Sequence, residues 1–392
     1  MAGQREGVEG RREVPRHVFA QPVEARERPE IVALLGPPDQ PTDAVEDYCA
    51  RLAEALAVRG LDLSLARVPW RGLGLGRAFD WLRRASGAWQ GQWVLVQYTP
   101  MMWPLHGFPL GLLAVTGILR RRRCQVALVL HDPLPFPGSR PQDRARRLVQ
   151  VWVTRQAARR SHAVVCTVPP ERVACARDVR ATLIPVGSNI PIPTGMPESA
   201  APGPDPPRTV VVFGVTGGRG IPSSVTECEV GDMAHALRRA STAVSSLRLV
   251  VLGRGADEAR DQVFRAFDGT GIRVSVRGLL PAAEISRILT SADALLCPRA
   301  HVSTRRTTAV AGIACGVPVV GYEGPETGYP ITEAGVLLAP LGDREALARG
   351  LTQVLSDGDL WQKLRRRNVA AYRRYFSWDV IAGQYCRVLG YA

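Results

Sequence analysis

The sequence predicts an α/β protein built from two doubly wound domains. Three observations carry that reading. Short apolar runs alternate with stretches of helical period twice over, first across residues 31–186 and again across residues 209–389. Residues 191–207, between the two series, hold seven prolines and no hydrophobic period, as an interdomain linker does. In both series glycines, histidines or hydroxyl residues follow directly on strand runs, where open α/β sheets bind their ligands.

In chain order, residues 1–28 are rich in Arg, Glu, Gly and Pro and read as a disordered tail. The first domain spans residues 29–190. Its strands are predicted at 31–36, 61–68, 93–97, 126–130, 163–167 and 181–186, as short apolar runs that suit burial on both faces. A helix is predicted over 42–59, capped by Thr42 or Asp43, with Val45, Leu52, Leu56 and Ala57 on its apolar face. Further helices are expected at 78–85 and 109–119, then a strongly basic one at 144–160. The glycines at 72, 74 and 76 follow no strand run, so they are not read as a dinucleotide loop. The second domain spans residues 208–376. It has strands predicted at 209–215, 247–252, 272–276, 292–296, 318–320 and 336–338. Its helices are predicted at 229–245, 258–267, 282–291, 305–315, 344–355 and 360–375. Residues 377–392 form a closing segment with a helix at 378–389.

A chain of 392 residues with 46% hydrophobic and 22% charged residues can bury a sizeable core. Net charge is +14, carried almost wholly by arginine, since Lys363 is the sole lysine. With so much Ala, Gly and Pro, that balance suggests a GC-rich genome, which explains part of the arginine excess. Such a charge suits nucleic acid, an anionic membrane or a phosphorylated substrate. No zinc-finger spacing and no aromatic-interleaved basic strand occurs, so nucleic acid is not expected as a partner. Eight cysteines are scattered without a CxxC pair, and Cys297 and Cys315, in predicted core elements, read as buried free thiols of a cytosolic protein. The N-terminus lacks a signal-peptide core, and no apolar run reaches the ~20 residues of a membrane span. A cytoplasmic location is expected.

Residues 297–321, CPRAHVSTRRTTAVAGIACGVPVVG, are the stretch with the clearest chemistry. An apolar strand leads into a polar loop in which Ser303 and Thr304 are placed to cap a helix. Arg305, Arg306 and Thr307 open that helix, Ala309, Ala311, Gly312 and Ala314 let it lie close to its sheet, and Gly316 ends it. First-turn amides and about half a positive dipole charge, flanked by two guanidiniums, suit a diphosphate. An ordinary helix with solvated arginines is the alternative. A second strand-to-turn junction, Thr216 followed by Gly217, Gly218, Arg219 and Gly220, has the same character.

With these landmarks in order, the chain resembles the GT-B-fold glycosyltransferases of the retaining family 4 type over roughly residues 30–390. FGVTGGRG at 213–220 is similar to that family's donor loop, with Arg219 in place of a lysine. VRGLLP at 276–281, with Gly278 and Leu279, is similar to the turn that meets the nucleotide base. ADALLCP at 292–298 and GVPVV at 316–320 bracket the donor helix, and FSW at 376–378 is similar to the start of the segment that crosses back to the first domain. Gln97, Tyr98, His131 and Asp132 fit the acceptor-side strands. The resemblance implies two Rossmann-like doubly wound domains facing a cleft. The first would take the acceptor and the second a nucleotide-diphosphate-sugar. The chain departs from the family at its Glu-x7-Glu pair, where Ser303 and Ala311 stand. Glu323 and Glu326, beyond the next strand, are either substitutes for it or solvated loop acids.

The implied function is a hexosyltransferase-like glycosyltransferase of bacterial polysaccharide biosynthesis. Its acceptor would be a glycan, a lipid-linked saccharide or a metabolite. A catalytically degenerate GT-B protein that binds a ligand or partner is the alternative, and a sugar-nucleotide epimerase fits the motifs less well. Arg219, Arg305 and Arg306 are expected to neutralise the leaving diphosphate. No Asp-x-Asp follows a strand, so no metal or other cofactor is expected. His131, with Asp132, is expected beside the sugar and phosphate, the alternative being a histidine that only caps its strand. His301 is a weaker candidate in the donor loop. Met101, Met102, Trp103, Leu105 and Phe108, with Arg120, Arg121, Arg122 and Arg123, suggest a peripheral contact at the inner face of the plasma membrane through the first domain.

Overall fold

The computed structural model of the protein describes residues 30–39, 43–103, 107–135, 138, 140–192, 207–217 and 222–391. The N-terminal tail, Thr42, His106, Leu105, most of the proline-rich linker and Gly218, Arg219 and Gly220 lie outside them.

The first half of the chain runs β1 (Glu30–Leu35), α1 (Ala44–Ala57), β2 (Asp62–Arg67), α2 (Trp70–Ala85), β3 (Trp93–Tyr98), α3 (Gly111–Arg121), β4 (Gln125–Leu130), α4 (Pro141–Arg160), β5 (Ala163–Cys166) and β6 (Ala181–Leu183). Its strands form one parallel sheet in the order β2-β1-β3-β4-β5-β6. The second half runs β7 (Arg208–Phe213), α5 (Ser223–Ala240), β8 (Leu247–Leu252), α6 (Arg260–Phe267), β9 (Arg273–Gly278), α7 (Ala282–Thr290), β10 (Ala294–Cys297), α8 (Thr307–Ala314), β11 (Val319–Glu323), β12 (Val336–Pro340), α9 (Arg344–Ser356), α10 (Gly358–Ala371) and α11 (Trp378–Leu389). These strands form a second parallel sheet, β12-β11-β10-β7-β8-β9. Central strands such as β3 are buried along their whole length, which is why they read as unbroken apolar runs rather than alternating ones.

Both sheets turn the carboxyl ends of their strands toward one cleft, and contacts cross it. The Thr304 hydroxyl donates to the Thr167 carbonyl at 2.5 Å, and the Val186 amide donates to the Thr304 carbonyl at 3.0 Å. Arg254 pairs with Asp39 at 3.0 Å. Behind the cleft, α11 packs on α1 of the first half. Tyr48 and Tyr385 share a hydrogen bond at 3.0 Å, Trp93 Nε1 donates to the Leu389 carbonyl at 2.9 Å, and Arg59 pairs with Asp379 at 2.8 Å. Ser377 caps α11 through Val380 N, and Gly390 ends it with φ 77°. One apolar cluster therefore runs from Leu35 and Leu52 through Tyr385 and Phe376 to Val310.

Several expectations are corrected here. The helix expected over 305–315 starts at Thr307, not at 305, and Ser303 and Thr304 do not cap it; Arg306 is its N-cap and makes no side-chain cap bond. The reason is tertiary, because Thr304 spends its hydroxyl and its carbonyl on the first domain. Helix α5 begins at Ser223 rather than 229 and ends at Ala240 rather than 245. Helix α2 begins at Trp70 and runs through the glycine triplet with a break at Gly74, φ 73° and ψ 172°. The apolar loop expected on the surface is largely core: Met102 and Trp103 are 7% and 1% exposed, Trp103 packs edge-on to Trp70, and Met101 alone of these three is open at 75%. No described helix is long and apolar enough to cross a membrane.

Candidate functional site

On the first-domain side the site begins where β4 ends. The His131 amide donates to the Tyr98 carbonyl, which fixes the backbone, and His131 Nε2 lies 2.7 Å from Gln97 Oε1. The Gln97 amide group donates to the Leu95 carbonyl at 3.2 Å, leaving its oxygen for the histidine. The Nε2–H tautomer is thereby selected, with the lone pair on Nδ1. The ring stands edge-on to Tyr48 at 4.9 Å and is buried. Burial lowers its pKa to about 4; Asp43 opposes that shift and Arg305 adds to it. His131 is therefore neutral near pH 7.

On the second-domain side, the polar loop after β10 is held by Val302, whose amide donates to the Tyr322 carbonyl and whose carbonyl accepts from the Thr327 hydroxyl at 2.6 Å. Ala300 takes a left-handed φ of 48° between Arg299 and His301. Glu326, from the loop after β11, reaches under this turn and is fully buried. Its Oε2 accepts from Arg305 Nε at 2.6 Å and lies 3.1 Å from His301 Nε2. Burial pushes the Glu326 carboxyl up, but His301 and Arg305 outweigh it and hold the pKa below its usual value. Arg305 also reaches across the cleft to Asp132, Nη2 to Oδ1 at 3.4 Å. Burial raises the Asp132 pKa against the pull of Arg305. Glu326 is thus no solvated loop acid, whereas Glu323 is exposed.

Arg306 differs from its neighbour. No described residue hydrogen-bonds or ion-pairs with its guanidinium, and burial together with the like charges of Arg299 and Arg305 lowers its pKa. Three guanidiniums on one loop face two carboxylates, Glu326 and Asp132, both of them on Arg305, which leaves positive charge on the side of Arg299 and Arg306 that an anion would balance. Ser303 Oγ and Glu326 Oε1 are buried without a hydrogen-bond partner among the described residues.

Along the sheet, the turn after β7 is clamped by α5. The Thr216 amide and hydroxyl both donate to the Glu229 carboxylate, the amide at 2.7 Å, and Thr226 Oγ1 donates to the Thr216 carbonyl at 2.6 Å. Gly217 follows against Gly255, whose carbonyl would stand 3.1 Å from a Cβ there. Gly278 ends β9 at φ 60°, its carbonyl accepting from Gly253 N at 2.6 Å, and any Cβ would run into the Asp257 carboxylate. Leu279 beside it is 53% exposed.

The structure thus brings His131, Asp132, Arg305, Arg306 and Glu326 to one place, with Gly217 following β7, the neighbour of β10, and Gly278 at the end of β9, two strands further along the sheet. Thr304 is committed to the domain contact, Ser303 is buried, and Thr307 is half-buried at the helix start. Sequence reasoning missed Thr167, Arg299 and Glu229. Arg299 alone left a signal, standing directly after a strand end. Among the described residues no cluster of three His, Cys, Asp or Glu side chains is placed to hold a metal ion.

Two parallel six-stranded sheets facing a cleft, with a terminal helix crossing back, are the GT-B fold of glycosyltransferases. Residues 227–357 match the family model described as Glycosyl transferases group 1. Solved structures agree on the fold over nearly the whole chain. A sucrose-phosphate synthase from Thermosynechococcus elongatus is 17% identical, with TM-score 0.65, over 93% of this chain and 98% of that one. The HepE protein of Anabaena, in complex with UDP and glucose, is 15% identical, with TM-score 0.63, over 93% and 100%. A glycosyltransferase from Rickettsia africae is 10% identical, with TM-score 0.66, over 94% and 100%. A search of curated proteins found no match.

Proposed function

We propose that the protein is a glycosyltransferase that moves a sugar from a nucleotide-diphosphate-sugar to a saccharide or lipid-linked acceptor, with retention of configuration and without a metal. The observation that carries this is Arg306, a largely buried guanidinium with no described partner, beside Arg299 and Arg305 at the carboxyl edge of the second sheet. The group 1 match over 227–357 supports the class, and the complex of HepE with UDP and glucose makes UDP-glucose the first probe. In this reading Arg305 and Arg306 hold the diphosphate and stabilise the charge that grows on it as its bond to the anomeric carbon breaks. The acceptor oxygen forms its bond to that carbon, and the acceptor proton leaves with the diphosphate. His131, neutral and fixed by Gln97, presents its Nδ1 lone pair and packs the sugar side. Glu326 supplies, through Arg305 and His301, the carboxylate that positions 303 and 311 lack. The finer assignment, a retaining family 4 enzyme of bacterial polysaccharide biosynthesis in the cytoplasm, belongs to the same proposal.

Arg306→Ala should weaken UDP binding about tenfold or more in calorimetry, since a charge-assisted hydrogen bond contributes roughly 1.5–3 kcal/mol. Unchanged affinity sinks the site. Turnover should persist in EDTA; loss with EDTA and recovery with Mg²⁺ or Mn²⁺ would overturn the metal-free step. Product anomers read by NMR test retention.

One observation favours a second reading, a GT-B protein that binds a nucleotide without transfer: Ser303 and Ala311 carry no carboxylate and are both fully buried. UDP binding with no hydrolysis or transfer across a panel of nucleotide sugars would select it.

A further inference from the structure

Outside the cleft, two large apolar side chains stand open on one face of α4. Leu148 is 72% exposed and Trp152 is 53% exposed, one helical turn apart on the face turned away from the sheet. The opposite face of the helix is ordinary core, with Gln150, Val153, Thr154, Ala157 and Ala158 buried. Helix α4 holds six arginines against one acid, Asp143, and that acid is turned inward at its first turn. Arg144 lies one turn before Leu148 on the outward face, and Arg155 and Arg159 lie on it beyond Trp152. The last two are paired with Asp178, which dilutes but does not cancel their charge.

The helix ends beside a second cationic edge. The Val126 amide donates to His162 Nδ1 at 2.9 Å, and His162 N donates to the Val126 carbonyl, which ties the end of α4 to the start of β4. The residue just before β4 is reached from the end of α3, where Arg120, Arg121, Arg122 and Arg123 are all exposed. Helix α4 adjoins α3, so the open leucine and tryptophan stand on a helix next to the one that ends in four exposed arginines, none of which is ion-paired among the described residues.

Two apolar side chains are too few for a stable protein interface, which needs about 800 Å² from each partner. They suffice for an interfacial contact, where a Trp ring sits at headgroup depth and diffuse basic charge adds attraction to anionic lipid. We propose that the outward face of α4 docks this protein on an anionic phospholipid surface. Trp152 and Leu148 enter the interface, and Arg144 and the arginines at 120–123 face the headgroups. The proposal is independent of the nucleotide site. It moves the membrane contact from the loop at 101–103, which is mostly core, to a helix face that is open.

The test is sedimentation of the full-length protein with vesicles of phosphatidylcholine alone and of phosphatidylcholine with phosphatidylglycerol, across a salt series. The wild-type protein should partition onto the anionic vesicles at low salt and leave them as salt rises. The double variant Leu148→Ser with Trp152→Ser should partition about tenfold less at equal salt, with its melting temperature, elution volume and UDP affinity unchanged. Replacing the four arginines at 120–123 by serine should flatten the salt dependence. Full binding by the double variant, equal binding to neutral vesicles, or no binding by the wild type overturns the proposal. So does a wild-type dimer that the double variant converts to a monomer, which would make a second copy the occupant of this face.

Discussion

Glu326 carries more of the site than its place on a loop suggests. It is fully buried, and its charge is tolerated because Arg305 and His301 meet the same oxygen. Breaking such a pair from one side leaves a buried cation uncompensated. Glu326→Ala should therefore cost about 3 kcal/mol in urea denaturation, toward the low end of that effect because Arg305 keeps Asp132 and some water. A cost near zero would mean that the pair is not formed in solution. Two groups here also set an acid limit. His131 has its pKa lowered by burial from 6.5 to about 4. Between those values the unfolded chain binds the proton that the native ring refuses, so stability is full above pH 6.5 and falls as pH drops toward 4. The loss is about 3 kcal/mol, at 1.36 kcal/mol per pH unit. Glu326 acts in the same direction, since its lowered pKa contributes stability that disappears as it protonates. Urea midpoints from pH 7 to pH 4 should fall in the wild type and fall less in His131→Phe; parallel curves would remove the histidine from the account.

Elements hold these residues at the right distance. Helix α8 lies close to its sheet because Gly312 faces Leu295: a Cβ there would stand 2.5 Å from Leu295 Cδ2 and 3.4 Å from Val319 Cγ2. Gly312→Val should cost about 1–3 kcal/mol by overpacking and displace Arg305 with the helix start. The measurement is paired, with thermal unfolding for the first effect and UDP calorimetry for the second. The turn after β7 depends on α5 in the same way. Glu229→Ala would strip the Thr216 amide and hydroxyl of their acceptor. UDP affinity should drop severalfold, since an unmade buried hydrogen bond costs about 1–3 kcal/mol. Unchanged affinity would show that this turn does not touch the nucleotide. The small residues of α8 and the glycines of the turn were legible as a pattern. The clamp was not, because Thr216 and Glu229 belong to different elements and meet only through packing.

Across the whole molecule the two domains are tied twice. In front, Arg305 links Glu326 to Asp132, and Thr304 links to Thr167. Behind, α11 lies on α1, with Tyr48 between Tyr385, Trp378 and His131. The rear tie therefore touches the site, since the ring that packs on His131 is the ring that receives the crossing helix. Tyr48→Phe and Tyr385→Phe each remove one end of the same buried hydrogen bond. A double-mutant cycle on unfolding free energy should show coupling of about 1 kcal/mol. Additive effects would mean that the two hydroxyls do not meet in solution.

The sequence by itself determined the class of fold, the strand alternation in both halves, and the crossing helix, whose start at Trp378 and end at Leu389 agree with expectation. These follow from local information: buried parallel strands are apolar throughout, and Ser377 and Gly390 punctuate a helix wherever it packs. It also placed His131, Asp132, Arg305 and Arg306 at strand ends. Tertiary structure alone decided what those residues do there. Thr304 looked like a helix cap, and the facing domain took its hydroxyl instead. Met102 and Trp103 looked like a surface loop, and the core cluster that holds Trp70 took them in, while the open tryptophan proved to be Trp152, on a helix that read only as basic. Glu326 was open between a site carboxylate and a solvated loop acid, and the contacts with His301 and Arg305 exclude the solvated one. Each case turns on a partner far away in the chain, and burial by a distant segment leaves no periodicity for a sequence to display.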